Sequence, residues 1–169
     1  MTYLKRKLKN FGPLEILVIS SFLYVLITLI WTATTRSEVI QRASDIKSNH
    51  KIVVKFINEE VNKCSSDING STSWGENCSE IWNSAKIVKH ILDNFKLNNP
   101  YNIKKPLIQT SQDPRIQAEG KAGQSTDKGI IFVSSNDFES EPGAEWVIGT
   151  CVKSPCVAAG NNELASAYR

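Results

Sequence analysis

The sequence is poor in the residue patterns that usually carry catalysis. It has two histidines in 169 residues, His50 and His90, and they are far apart in the chain. It has no glycine-rich phosphate loop, no serine, histidine and aspartate in a supporting context, and no acidic cluster with metal-ligand spacing. We therefore expect no enzyme, no cofactor and no metal ion. We expect His50 to be a packed or half-exposed side chain rather than a base or a ligand.

The chain also lacks a strong charge bias. Its formal net charge is +3, and after the first ten positions the basic residues are interspersed with Asp and Glu. No basic stripe reaches the scale that nucleic-acid binding requires, so no specific nucleic-acid partner is expected. The length leaves room for one membrane segment and one globular domain, but not for a second catalytic domain.

No cysteine occurs before residue 64. The four cysteines are Cys64, Cys78, Cys151 and Cys156, and neither close pair has the Cys-x-x-Cys spacing of a redox or zinc motif. An even number of cysteines, all after an apolar segment, indicates disulfides that form in an oxidising compartment. From their proximity in sequence we predict that Cys64 pairs with Cys78 and Cys151 with Cys156.

The N-terminal part of the sequence predicts a membrane anchor. Residues 11–31 read FGPLEILVISSFLYVLITLIW and contain one charged side chain, Glu15. As a helix, a segment of this length spans a hydrocarbon core of about 30 Å. We therefore predict a transmembrane helix in contact with the lipid bilayer.

The basic residues around the apolar segment predict its orientation. Residues 1–10 form a basic leader, and only Arg36 follows the segment closely. The positive-inside rule then places the N-terminus in the cytoplasm and residues 32–169 outside, in the periplasm or on the cell surface. A cleaved signal peptide is the alternative, but its apolar region would be shorter, about 7 to 15 residues, and Trp31-Thr32-Ala33 is a poor cleavage site.

Neither proline nor glycine occurs between Thr32 and Lys63. The helix is therefore predicted to continue from about Leu14 to about Asn62, with residues 32–63 as an amphipathic half. Its apolar stripe must pack on the rest of the domain. The stripe consists of Val39, Ala43, Ile46, Val53, Ile57 and Val61, and the expected partner is a small antiparallel sheet with Ile131, Val133, Trp146 and Ile148.

The rest of the chain predicts an extracytoplasmic α+β domain, residues 32–169. A polar loop joins Cys64 to Cys78, and within it the triplets at Asn69 and Asn77 match N-glycosylation acceptors, although such triplets are frequent by chance. A second helix is predicted from Ser79, as its cap, to Leu97, and an irregular region follows from Pro100 to Gly129. Two strands, Gly129–Ser134 and Ala144–Val152, are predicted around a turn at 136–143. The tail from Gly160 is small and polar.

The layout resembles the type IV pilin and type II secretion pseudopilin family. The resemblance rests on a short basic leader, on Phe11-Gly12-Pro13-Leu14-Glu15 opening an apolar run, and on a long amphipathic helix before a cysteine-stapled α+β domain. It implies cleavage of the leader between Asn10 and Phe11 and methylation of the new amino group. Asn10 stands where the processing peptidase normally requires glycine, and Pro13 is unusual in this family.

The resemblance also implies a role for Glu15 as the fifth residue after cleavage. There its carboxylate would neutralise the N-terminus of a neighbouring subunit while the filament assembles. A carboxylate in an apolar segment is costly and usually finds a partner, although Glu15 lies close enough to the edge to extend into the headgroups instead.

Two functional classes remain open from the sequence. The first is a structural subunit of a type IV pilus-like or pseudopilus filament, with other copies of itself and the inner-membrane assembly machinery as partners. The second is an uncleaved single-pass membrane protein whose disulfide-stapled domain is a binding or accessory module.

Overall fold

The computed structural model of the protein describes residues 12–80, 82–120, 128–135 and 146–167. By its internal contacts the chain divides into two compact units, Met1–Ile40 and Gln41–Arg169. The predicted leader, the turn at 136–143 and Ala144 lie outside the described residues. In the described residues the fold consists of a long N-terminal helix and a small mixed four-stranded sheet, an α+β arrangement.

The long helix, α1, has the bounds Pro13–Ser66 and runs for 54 residues without interruption. This agrees with the predicted span from Leu14 to Asn62, and after Pro13 the helix contains no proline or glycine that would break it. Proline suits the first helical position, because its missing N–H would have no partner there in any helix. The helix belongs in part to each unit.

In the second unit, α1 buries one face. Its buried residues are Ile46, His50, Val53, Ile57, Glu60, Val61 and Cys64. Their spacing of mostly three and four keeps them on one side of a helix. The predicted stripe is confirmed from Ile46 onward and Ala43 is partly buried, but Val39 is wrong as a member because it is 38% exposed. The physical reason is that the unit with the core begins only at Gln41.

The second helix, α2 (Ser84–Asn94), is shorter than the predicted Ser79–Leu97. Its cap is Asn83, whose side-chain oxygen accepts hydrogen bonds from the N–H groups of Ala85 and Lys86, and not Ser79. Ser79 instead lies in a turn directly after the disulfide-bonded Cys78. At the other end, Phe95 is already extended, although its N–H still donates to the carbonyl oxygen of Ile91.

The sheet has four strands in the order β1–β2–β3–β4, with bounds β1 Ile108–Thr110, β2 Ile131–Ser135, β3 Trp146–Cys151 and β4 Asn162–Ala167. The prediction of an antiparallel sheet is correct for β2 and β3, and β4, which was not predicted, also pairs antiparallel with β3. Strand β1 pairs with β2 in parallel, so the sheet is mixed. The register sets Val133 opposite Ile148. Strands β2 and β3 are buried along their whole length. A sheet of these two strands alone could not bury both of them so completely.

Two further segments contradict the sequence prediction. The region from Pro100 to Gly129 is not irregular throughout, because it contains β1 and a short helix, α3 (Pro114–Glu119). The tail after Gly160 forms the edge strand β4. Helix α3 lies so close to β3 that a Cβ atom at Gly149 would clash with the carbonyl oxygen of Pro114. Glycine at this position is therefore a packing requirement.

The core of the second unit joins α1, α2 and the sheet. Ile57 of α1 and the four predicted sheet residues Ile131, Val133, Trp146 and Ile148 belong to one buried cluster, which confirms the predicted packing. An aromatic series extends the cluster: the rings of Trp82 and Trp146 are 5.6 Å apart, and Trp74 meets Trp82 edge to face at 5.2 Å. Such aromatic pairs add to stability beyond the area that they bury.

Candidate functional site

The first candidate site is the apolar part of α1, residues 13–31. Its large side chains are exposed in the described chain, from Leu14 at 76% to Trp31 at 70%. Among the described residues this is the one helix long and apolar enough to cross a membrane, by length and composition. A soluble domain rarely leaves so much contiguous apolar surface uncovered, which indicates contact with lipid or with other protein.

The serine and threonine side chains of this segment, and that of Thr32 directly after it, are paired within the helix. Four hydroxyl groups each donate a hydrogen bond of 2.8–3.0 Å to the carbonyl oxygen three residues earlier. They belong to Ser20, Ser21, Thr28 and Thr32. Because no water is available in a hydrocarbon core, a helix can enter it only if its polar groups are paired internally in this way. These four hydroxyl groups therefore meet that requirement.

Glu15 lies in the first turn of α1, where it closes the end of the helix. Its Oε2 atom accepts a hydrogen bond of 2.9 Å from the backbone N–H of Gly12. The carbonyl oxygen of Gly12 in turn accepts from the N–H groups of Glu15 and Ile16, at 3.1 and 3.2 Å. A Glu three residues after the cap that reaches back to the cap N–H is one half of a capping box, and its negative charge is favourable at a helix N-terminus.

The capping bond engages only part of the carboxylate. Within the described residues, no hydrogen bond or ion pair is recorded for Oε1 of Glu15, and the side chain is exposed. The sequence had suggested a pairing with a neighbouring subunit or an extension into the headgroups, and it missed this local role. The signal was present in Gly12-Pro13-Leu14-Glu15, because proline at the first helical position followed by Glu two residues later is typical of a helix start.

A second candidate region is the loop between Cys64 and Cys78, which the structure closes with a disulfide, as the sequence predicts. Buried carboxylates organise this loop from both sides. Glu60 of α1 accepts hydrogen bonds from the backbone N–H of Ser73, at 2.9 Å, and from its hydroxyl group. The loop is therefore fixed to α1 by a covalent bond and by a buried carboxylate.

Glu76 fixes the other side of the loop to α2. Its carboxylate accepts from Trp74 Nε1 at 2.8 Å and from the N–H of Asn83 at 2.9 Å, and Lys86 Nζ lies 3.0 Å away. Desolvation raises the pKa of Glu76, but the hydrogen bonds from Asn83, Lys86 and Trp74 and the charge of Lys86 outweigh it, so its pKa is lowered overall. Glu76 is therefore a charged structural anchor and not a proton donor.

His50 is packed, as the sequence predicts. His50 is buried in the face of α1 that packs on the core, and desolvation lowers its pKa to about 4 against the opposing charge of Glu163. His90 stacks on Phe56 with the two ring centroids 5.7 Å apart. Among the described residues there is no group of three or more His, Cys, Asp or Glu side chains that could hold a metal ion.

The second disulfide joins Cys151 and Cys156 beside β4, again in the predicted pairing. It lies in a compact turn, in which Asn162 Nδ2 donates to the carbonyl oxygen of Cys156 and Tyr101 Oη donates to that of Val152 at 2.7 Å. These contacts hold the end of the chain against the sheet. They bring together no nucleophile and base.

An open groove runs between α2 and the edge strand β1. It has a volume of about 470 Å³. Its lining is mostly apolar and includes Val88, Leu92, Pro106 and Ile108, with Lys89 and Asp93 on one side.

The structure does not bring the predicted site residues into one place. Glu15 belongs to the first unit and the four cysteines to the second, while the predicted cleavage residues Asn10 and Phe11 lie outside the described residues. Comparisons of the chain with protein-family models, with curated proteins and with solved structures find no match.

Proposed function

We propose that this chain is a structural subunit of a type IV pilus-like or pseudopilus filament, held in the membrane by α1 before assembly. The observation that carries the proposal is the apolar segment of α1, whose side chains are exposed and whose single carboxylate stands in the first helical turn. Such a helix can exchange lipid for the helices of neighbouring copies, because both surroundings are apolar.

The proposal gives Glu15 two tasks that its two oxygens can share. Oε2 accepts from Gly12 within the chain, and Oε1 is left for the ammonium group of a neighbour. Cleavage before Phe11 would not disturb the cap, because the N–H of Gly12 would remain an amide. A charge pair in a low dielectric recovers much of the cost of placing either charge there alone.

The decisive comparison is between Glu15→Gln and Glu15→Ala. Glutamine at this helix position can still accept from the Gly12 N–H, so it keeps the cap but removes the charge. If Glu15 pairs with a neighbouring ammonium group, both variants should lose incorporation into sheared filaments, measured against the pool left in the membrane. Incorporation of Glu15→Gln at the wild-type level would show that Glu15 acts as a cap alone and would contradict the assembly role.

The second candidate is an uncleaved, membrane-tethered accessory protein. Two observations favour it: Asn10 stands where cleavage normally requires glycine, and the helix begins at Pro13, two residues after the predicted cut. Mass spectrometry of the protein from membranes and from sheared filaments separates the two functions. A start at methylated Phe11 supports the filament subunit, whereas a start at Met1 in every fraction supports the tethered protein.

A further inference from the structure

The loop between Cys64 and Cys78 begins, directly after α1, with a tight turn at Asp67–Gly70. The N–H of Gly70 donates to the carbonyl oxygen of Asp67 at 3.0 Å, which closes a four-residue turn with Asn69 in its third position. The N–H of Asn69 also donates to Oδ1 of Asp67 at 3.2 Å. A Cβ atom at Gly70 would lie 3.0 Å from Oδ2 of Asp67, so the turn favours glycine at this position.

The side chain of Asn69 is presented on the surface of this turn. Asn69 is exposed, and in the described part of the chain no hydrogen bond of its side-chain amide is recorded. Ser71, which completes the triplet, is exposed as well. An enzyme could therefore enclose the amide nitrogen and contact the serine hydroxyl group without unfolding the domain.

The second triplet, at Asn77, has a different environment. The amide of Asn77 donates to Oε1 of Glu80 at 3.0 Å. The middle residue of this triplet, Cys78, is fully buried, is bonded to Cys64 and donates its N–H to the carbonyl oxygen of Gly70. This backbone bond engages Gly70 of the first triplet as well, and Asn77 and Ser79 are exposed like Asn69 and Ser71, so the triplets differ in the paired amide of Asn77 and in the buried, disulfide-bonded Cys78. The sequence shows only that Asn77 adjoins a predicted disulfide cysteine, and the structure adds the contacts that distinguish the two triplets.

We propose that Asn69 carries an N-linked glycan and that Asn77 does not. In the reaction, Nδ2 of Asn69 attacks the anomeric carbon of a sugar carried on a lipid pyrophosphate. The new C–N bond forms as the C–O bond to pyrophosphate breaks, the lipid pyrophosphate leaves with the electron pair, and the amide nitrogen loses one proton. The proposal rests on the extracytoplasmic placement of residues 32–169 that the proposed function includes.

The glycan would stand beside an apolar side chain that the fold leaves uncovered. Ile68, the residue before Asn69, is 60% exposed on the same turn. A bulky hydrophilic glycan on this turn would screen that side chain and keep the loop soluble. It would lie away from the predicted packing face of α1, because Asn69 is on the surface of the second unit.

The test is the mass of the full-length protein purified from the membranes of its own cells. We would measure the intact mass and map the disulfide-linked peptide around Asn69 by fragmentation that preserves glycans. The variants are Asn69→Gln, which removes the acceptor, and Ser71→Ala, which removes the hydroxyl group and keeps the asparagine. The matched controls are Asn77→Gln and Ser79→Ala, which destroy the other triplet.

We expect an additional mass on Asn69 that is lost in Asn69→Gln and Ser71→Ala and retained in both controls. A wild-type chain with both disulfides formed and no added mass at Asn69 would overturn the proposal but leave the proposed function intact, because the domain would have reached the oxidising side. A glycan on Asn77 alone would also overturn it. Unmodified chains with reduced cysteines would contradict the extracytoplasmic placement itself.

Discussion

The two parts of α1 contain the same kinds of apolar side chain in opposite surroundings. Ile27, in the first unit, is 61% exposed, whereas Ile57, in the second, is completely buried. The difference lies in the residues between the apolar ones. Charged and polar residues separate the apolar positions after Gln41, so only one face has to be covered, while residues 13–31 are apolar on every side. The first pattern is suited to one protein core, and the second to hydrocarbon or to several neighbouring helices.

The largest expected effect on stability comes from truncating the buried side chain of Ile57. Ile57→Ala should lower the free energy of unfolding of the second unit by about 2–5 kcal/mol, because it leaves a cavity in the core. The measurement is urea unfolding of the full chain in mild detergent, followed by the fluorescence of the buried Trp82 and Trp146. The matched control, Ile27→Ala, should leave this transition unchanged. A shift of similar size in the control would mean that the two parts of α1 are not energetically distinct.

The second effect is expected in the exposed part of α1, when a charge is placed in the apolar segment. Leu23→Arg should make insertion less favourable by about 2.5–3.5 kcal/mol, the cost of Arg near the centre of a membrane helix. The fraction of chains that resists alkaline extraction from membranes reports it. The control is Ile52→Arg on the exposed face of the second unit, which should not change that fraction. If Leu23→Arg extracts no more readily than wild type, the segment does not lie in hydrocarbon.

The smallest of the three effects depends on pH and belongs only to the second unit. The pKa of His50 is about 4 in the fold, below its ordinary value of 6.5, so the unfolded chain binds more protons between these values. The stability contributed by neutral His50 is therefore complete above pH 6.5 and is lost as the pH falls towards 4, by up to about 3 kcal/mol.

The control for this pH dependence is His50→Leu, which keeps an apolar side chain at the site and removes the titration. Urea unfolding at several pH values between 6.5 and 4 should give a flatter profile for the variant than for the wild type. The ion pair of Lys47 with Glu163, at 2.8 Å, remains in both proteins. Parallel profiles would show that His50 does not contribute to acid destabilisation.

The parts of the fold that the sequence predicted are those that a local pattern determines. An unbroken run without proline or glycine determines α1, and cysteines close in sequence determine the two disulfides. The start of α2 was wrong because Ser79 and Asn83 are both good caps, and only the turn at Cys78 decides between them.

The missed elements depend on contacts distant in sequence. Strand β1 has three residues, too few for a recognisable alternation, and it exists because β2 pairs with it. Strand β4 contains small and polar residues and is identified only by its register on β3. For the candidate site, the sequence identified Glu15 by its charge in an apolar run. Its hydrogen bond to Gly12 could be predicted only if the first residue of the helix was known.

The contact between Gly149 and Pro114 limits the residues that position 149 can accept. A side chain of any size at position 149 would push α3 off the central strand, since the obstacle is a backbone carbonyl group that no rotamer change can move. In a saturation-mutagenesis experiment selected for a folded domain, position 149 should therefore tolerate glycine alone. Gly160, with a positive φ but open space around it, should accept asparagine. Relatives of this protein that are too divergent to align elsewhere should keep a glycine at the centre of the third strand.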